Sequence, residues 1–180
     1  MKKTVVKFFL AFQYDKEEKW LNEMSAKGWQ LTNVGFCNYT FTEGQPGEYI
    51  YRLEMLDDWP ASSKGSAYIR FLEETGAEYI GSLLRWIYVR RPASEGTFDL
   101  YSDLPSRIKH VARVRNLMLI LFLCLIPIFI SNFHDLFTYD SAFPIVVRIL
   151  LGCVVLLLGI GALMSQLKIN ALRKENLLRE

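Results

Sequence analysis

Two histidines, three cysteines and three adjacent acidic pairs are the side chains from which a reaction centre would have to be built in this 180-residue chain. His110 and His134 flank a long apolar run, which puts them on opposite sides of a bilayer and removes a shared metal site. Cys37 stands alone in the first hundred residues, where no histidine is available as its base, so it reads as a structural thiol. The pairs Glu17/Glu18, Asp57/Asp58 and Glu73/Glu74 point in different directions and read as solvated surface and caps. CxxC, HExxH, GxSxG, P-loop and GxGxxG patterns are absent. The expectation is a protein that is not an enzyme, with no catalytic residue, no metal and no cofactor.

Binding chemistry is better represented. Trp20, Trp29, Tyr39, Tyr49, Tyr51, Tyr68, Tyr79, Trp86 and Tyr88 crowd into the first half of the chain. Strands present alternate residues to opposite faces, and aromatics on a sheet face not covered by helices would leave an apolar surface of the kind that marks an interface. The candidate ligand or partner face is therefore Tyr39, Tyr49, Tyr51, Trp86 and Tyr88, with Arg52 and Arg85 beside them as anchors for an anion. The competing reading is that most of these rings are core, because small domains fill their interiors with aromatics.

Elements able to hold such a face follow from periodicity. Residues 4–12 (TVVKFFLAF) read as a largely buried strand. Asp15 with Glu18 resembles a capping box opening a helix whose apolar stripe is Trp20, Leu21 and Met24, and Gly28 closes it as a left-handed cap. Residues 29–36 and 39–41 read as strands around a tight connection at Cys37 and Asn38, residues 43–47 (EGQPG) as a turn, and residues 48–55 as a half-buried antiparallel strand. A shift of 48 residues then lays Trp20, Leu21, Met24, Gly28 and Leu31 over Tyr68, Ile69, Leu72, Gly76 and Tyr79. Two βαββ units predict an α+β, ferredoxin-like sandwich: an antiparallel or mixed sheet with two helices on one face, spanning residues 1–92.

The remainder is of a different kind. Hydrophobic residues make up 51% of the chain, unevenly distributed. Residues 116–133 contain no charge over 18 positions and residues 149–167 none over 19. At roughly 1.5 Å per residue each spans about 27 Å or more of a hydrocarbon core near 30 Å, and Pro127 inside the first is tolerated in membrane helices. The predicted divisions are a linker with a basic juxtamembrane helix (93–115), a first span (116–133), a short outer loop (134–144), a second span (145–167) and a tail (168–180). Arg107, Lys109, Arg113 and Arg115 precede the first span, and Lys168, Arg173 and Lys174 follow the second, while the loop between has no Lys or Arg. The positive-inside rule then predicts a two-span cell-membrane protein with both termini cytoplasmic, its basic side chains meeting lipid headgroups. The N-terminal run is short and broken by Lys7, so a signal peptide is not expected.

The runs KFFLAFQYDKEEKWLNEMSAKGWQL, PGEYIYRLEM, EETGAEYIGSLLRWIYVRR and FDLYSDLPSRIKHVARV together resemble the bacterial domain of unknown function 2812 family, over nearly all of residues 5–115. The resemblance implies a cytoplasmic domain paired with a C-terminal membrane hairpin, in a bacterial regulatory setting that often includes a neighbouring PadR-like regulator. It carries over no catalytic residue.

Two functions are expected from these features. The first is a membrane-tethered cytoplasmic interaction or sensory module that binds a protein partner, a membrane protein or a PadR-like regulator system among them, or a small ligand. The second is an accessory subunit of a transporter or small homo-oligomeric membrane assembly. There Gly152 and Gly159, with Gly161 and Ser165, would let helices approach closely. Nucleic acid is not an expected partner, since residues 1–98 hold 12 Lys and Arg against 13 Asp and Glu.

Overall fold

The computed structural model describes residues 1–101, 104–133 and 142–177. His134 and most of the predicted outer loop lie outside them. The chain divides into two compact units, Met1–Ser102 and Asp103–Glu180. The class is α+β followed by a two-helix hairpin. In the first unit β1 (Lys2–Val6), α1 (Tyr14–Ala26), β2 (Trp29–Gly35) and β3 (Asn38–Glu43) are followed by β4 (Tyr49–Met55), α2 (Ser63–Glu74), β5 (Glu78–Leu83) and β6 (Trp86–Pro92). These are two βαββ repeats, and each closes its own antiparallel three-stranded sheet, β1-β3-β2 and β4-β6-β5.

The 48-residue offset reaches backbone detail. The β2/β3 ladder slips between Leu31 and Asn33, and the β5/β6 ladder slips between Tyr79 and Gly81, at the same offset. Gly28 and Gly76 end the two helices with φ of +81° and +92°, a region that a residue without Cβ enters at little cost. Serine caps α2, where the Ser62 side chain accepts a hydrogen bond from the Gly65 N–H at 3.0 Å.

Helix α1 starts differently from the capping box predicted for it. Its N-cap is Gln13, without a side-chain cap bond, and Glu18 reaches instead to another strand. Glu18 Oε2 accepts from the Leu53 N–H (3.1 Å), Asn22 Oδ1 accepts from the Tyr51 N–H (2.9 Å) while its Nδ2 donates to the Tyr51 carbonyl (3.1 Å), and Ser25 Oγ donates to the Tyr49 carbonyl (2.7 Å). Positions 18, 22 and 25 share one helix face, and 49, 51 and 53 share one strand edge. The side chains of α1 thus occupy the hydrogen-bonding groups along the unpaired side of β4.

The first strand is also shorter than the run 4–12. Its ladder ends at Val6 opposite Asn38, after which the Lys7 N–H bonds the Cys37 carbonyl and the chain turns through a single 3-10 turn, Ala11–Gln13. β1 lies at the edge of its sheet, so Val6 and Phe8 are exposed rather than buried.

Two cores share the second sheet. Leu21, Met24, Leu31, Val34, Phe41, Tyr51 and Leu53 form one around α1, and Leu56, Leu72, Ala77, Ile87, Val89 and Phe98 form the other around α2. Tyr88 of β6 enters the first core, while its neighbours Ile87 and Val89 enter the second, as the pleat of a strand covered on both faces requires. Phe98 extends this unit past the predicted joint at residues 92–96, part of which is a 3-10 turn, Ala93–Glu95.

In the second unit α3 (Leu104–Phe133) runs through Pro127 and joins the predicted juxtamembrane helix and first span into one element, facing α4 (Ala142–Leu177). A Cβ placed on Gly152 would meet the Phe129 ring at 3.0 Å, and one on Gly159 would meet Phe122 at 3.3 Å. One heptad further along, Arg115 Nη1 donates to Gln166 Oε1 at 2.6 Å. Steps of seven on one helix thus match steps of seven on the other, as in an antiparallel coiled pair. Both helices are long and apolar enough to cross a membrane, and 11% and 17% of their apolar windows are buried. Ile120, Leu123 and Ile130 on α3 and Leu150, Leu156 and Leu163 on α4 face outward.

Candidate functional site

A cavity of about 250 Å³ opens in the first unit where three connections meet. The β1-to-α1 segment contributes Lys7 to Ala11, the β2-β3 turn Phe36 and Cys37, and the end of β5 with the turn after it Leu83 and Leu84. Both turns are two residues long, and each holds one non-glycine residue in the left-handed region, Cys37 and Leu84, both with φ of 55°. Phe8, Phe36 and Leu84 are 63%, 79% and 69% exposed, so the rim is apolar and in water.

The floor is polar. Glu17, on the stripe Tyr14, Glu17, Leu21, Met24 of α1, is 7% exposed. Its Oε1 accepts two phenol hydrogens, from Tyr39 at 2.7 Å and from Tyr88 at 2.6 Å. Among the described residues no cation pairs with this carboxylate, and its second oxygen takes no hydrogen bond. Burial pushes the Glu17 carboxyl above its ordinary range, and the two phenols pull it partly back. Burial, reinforced by the carboxylate, pushes both phenols well up, so they remain donors at any ordinary pH. The walls are aromatic: Trp86 lies 5.4 Å from Tyr14 in a tilted pair, and Phe9 packs beside Tyr39, which Trp20 backs from outside the cavity. Lys7 Nζ sits 4.5 Å from the Trp20 ring and 5.1 Å from Phe9.

This arrangement can recognise and hold. The Cys37 thiol lies at its rim in a unit that holds no histidine, and no group of three or more metal-ligating side chains occurs among the described residues.

Of the face predicted from the aromatics, the structure gathers Tyr39, Trp86 and Tyr88 around the cavity, and places Tyr39 and Tyr88 inside the core rather than on an open sheet. Tyr51 is core as well, its hydroxyl accepting from the Leu31 N–H (2.9 Å) and donating to Gln30 (3.1 Å). Tyr49 is half-buried beneath the Arg90 guanidinium at 3.9 Å. Neither predicted anion anchor is available: Arg52 pairs with Glu18 at 3.4 Å, and Arg85 donates twice to the Leu56 carbonyl. Glu17, expected on the solvated surface, is buried. The overlooked signal is its spacing, three residues after Tyr14 and four before Leu21, which puts it on the apolar stripe rather than beside Glu18 on the polar one.

In the second unit Arg107, Lys109, Arg113 and Arg115 of α3 and Lys168, Arg173 and Lys174 of α4 fall at the same end of the helix pair, because the pairing of residue 115 with 166 is antiparallel. Gly161 accepts a hydrogen bond from Ser165 Oγ (2.8 Å), and Ser165 and Ala162 are buried within the pair.

The family model described as "Protein of unknown function (DUF2812)" matches residues 13–123, which takes in α1 through the first part of α3. No curated protein and no solved structure matches the chain.

Proposed function

The chain belongs to the DUF2812 family, and from that premise we propose that it is a membrane-tethered binding module whose N-terminal domain takes a small ligand in the cavity over Glu17. The observation that carries this reading is a buried carboxylate without a countercharge at the bottom of an aromatic cavity rimmed by exposed apolar side chains. Two phenol hydrogens stabilise one oxygen of this carboxylate, but a buried charge without a countercharge still costs more than a paired one, and packing alone gives no reason to keep it. A bound molecule that covers Phe8, Phe36 and Leu84 and completes the polar floor removes both costs.

The hairpin acts as the anchor. Seven basic side chains gathered at one end of the pair support an orientation with that end, and the N-terminal domain, in the cytoplasm. Ligand occupancy would then be reported to a partner confined to the same membrane, at the raised effective concentration that tethering gives. The other reading, a transporter accessory subunit associating through Gly152 and Gly159, has less support, since those glycines receive Phe129 and Phe122 of their own chain.

The test is thermal denaturation of the full chain in mild detergent against a panel of small aromatic and aliphatic compounds of each charge. A set of compounds that raises the melting point of the native chain, and that fails to do so after Phe36→Ser and Leu84→Ser, supports the reading. A native chain whose melting point no compound moves sinks it.

A further inference from the structure

Resting on the ligand-binding reading above, we propose that the cavity selects an organic monocation with an apolar body, a quaternary or protonated amine carried on an aromatic or branched aliphatic group, its charge over Glu17 and its body against Trp86 and the rim.

The charge of the ligand follows from what the floor lacks. Glu17 offers two oxygens; Oε1 is saturated by Tyr39 and Tyr88, and Oε2 has no hydrogen-bond partner. An anion at the floor would meet this carboxylate with both phenol hydrogens already committed, and Lys7, the cation that lines the cavity, lies against the Phe9 and Trp20 rings and makes no ion pair with Glu17. A neutral ligand would leave the charge as uncompensated as it is without a ligand. A metal ion is disfavoured by the donor set, since a hard cation takes six or more oxygens and a single carboxylate with two donor-committed phenols does not supply them. A monovalent organic cation needs only one countercharge and π faces around it.

The walls support the same class. Lys7 already lays its ammonium against Phe9, which lines the cavity, and against Trp20 packed behind it, so ring faces on this side of the site hold a cation without an ion pair to Glu17. The rim excludes a small hydrated cation as the preferred occupant. Phe8, Phe36 and Leu84 would stay in water around it, whereas an apolar body buries them at about 25 cal/mol per Å². Size is limited as well: about 250 Å³ lies just below the usual span of small-molecule sites, roughly 300–1,000 Å³, and so fits one ring with a branched head rather than a polycyclic dye.

The experiment uses the full chain in detergent and three probes of similar shape: benzyltrimethylammonium, its neutral isostere neopentylbenzene, and the anion phenylmethanesulfonate. Binding is read by calorimetry, with tryptophan fluorescence as a second signal because Trp86 lines the cavity. The expected result is that the cation binds at least tenfold more tightly than either control. Glu17→Gln, which keeps the shape and an acceptor for both phenols, should weaken the cation by tenfold or more and leave neopentylbenzene within twofold. If Glu17→Gln fails to fold, Trp86→Leu serves in its place, with a loss of several-fold for the cation that exceeds the loss for the neutral probe. Equal or tighter binding of a control, or a cation affinity indifferent to Glu17→Gln, overturns the cation assignment and leaves a small-ligand site standing. Silence from all three probes at millimolar concentration overturns the cation assignment, and the panel of compounds above then decides whether the site itself stands.

Discussion

The two βαββ repeats have the same backbone and opposite interiors. An offset of 48 carries Tyr39 onto Ile87, and Glu17 onto Gly65. In the first repeat the helix position holds a carboxylate, and the strand position a phenol that binds it. In the second the strand position is an isoleucine with no exposure, in a core of Leu56, Leu72, Ala77 and Val89. The helix position there has no side chain at all, and a Cβ added to Gly65 would overlap the Trp59 carbonyl oxygen. One copy of the fold has closed by drawing its own backbone in. The other has stayed open around a charge, with Leu83, Leu84, Trp86 and Tyr88 of the second repeat closing the far side of the opening. Since the glycines that end the helices, the ladder slips and the strand order are common to both, the cavity is not a by-product of the architecture. It was produced by a few side chains.

The sharpest way to break the comparison is to put a side chain where the second repeat excludes one. Gly65→Ala should destabilise by about 3 kcal/mol, seen as a lower urea midpoint in tryptophan fluorescence, because the obstruction is backbone and does not rotate away. An unchanged midpoint would show that the second helix has room and that its closure is incidental. Next, Tyr88→Phe should cost about 2 kcal/mol, the worth of a hydrogen bond to a charged group whose partner stays buried. Its counterpart experiment, Ile87→Val on the same strand facing the other core, should cost about 1 kcal/mol, and only the tyrosine variant should show a pH-dependent penalty.

The pH dependence has a definite sign. Burial raises the folded-state pKa of Glu17 above 4.5. Its contribution to stability is therefore fully present below about pH 4.5 and is lost as pH rises through the folded value. Glu17→Gln should erase that loss, so the stability difference between the two proteins widens in favour of the variant on the alkaline side. A difference that stays flat from pH 4.5 to 8 would mean Glu17 titrates as an ordinary surface carboxylate. The smallest effect belongs to the turns. Leu84→Gly removes a left-handed strain of about 1–2 kcal/mol but loosens the unfolded chain, for a net gain near 0.5 kcal/mol, and Cys37→Gly should match it in the other repeat.

The architecture was legible because it is written in short-range chemistry. Gly28 and Gly76 mark helix ends, alternation marks β4, and two uncharged runs mark the hairpin. The offset between repeats is visible from a handful of aromatic and apolar positions. The cavity was not legible, for three physical reasons. Its walls come from residues 7–17, 36–39 and 83–88, which only the folded chain brings together. Its central residue is half of an acidic doublet, and adjacency to Glu18 hid the helical phase that sends the two carboxylates to different places. Tyr39 and Tyr88 were singled out for aromatic mass, whereas their hydroxyls decide their role. Arg52 and Arg85 show the converse, since a sequence displays a guanidinium without displaying the carboxylate or carbonyl that already occupies it.

The row of Glu18, Asn22 and Ser25 against β4 has a further consequence. Those three side chains act as a surrogate neighbour, so along the outer border of the second sheet the amides of Tyr49, Tyr51 and Leu53 and the carbonyls of Tyr49 and Tyr51 are already taken and give a foreign peptide little to zip onto. A copy of this protein cannot polymerise with another through that margin while its first helix stays docked. At the edge of the first sheet β1 has no such guard among the described residues, and there Lys2 and Lys3, whose charges repel their own kind, are the deterrent against stacking.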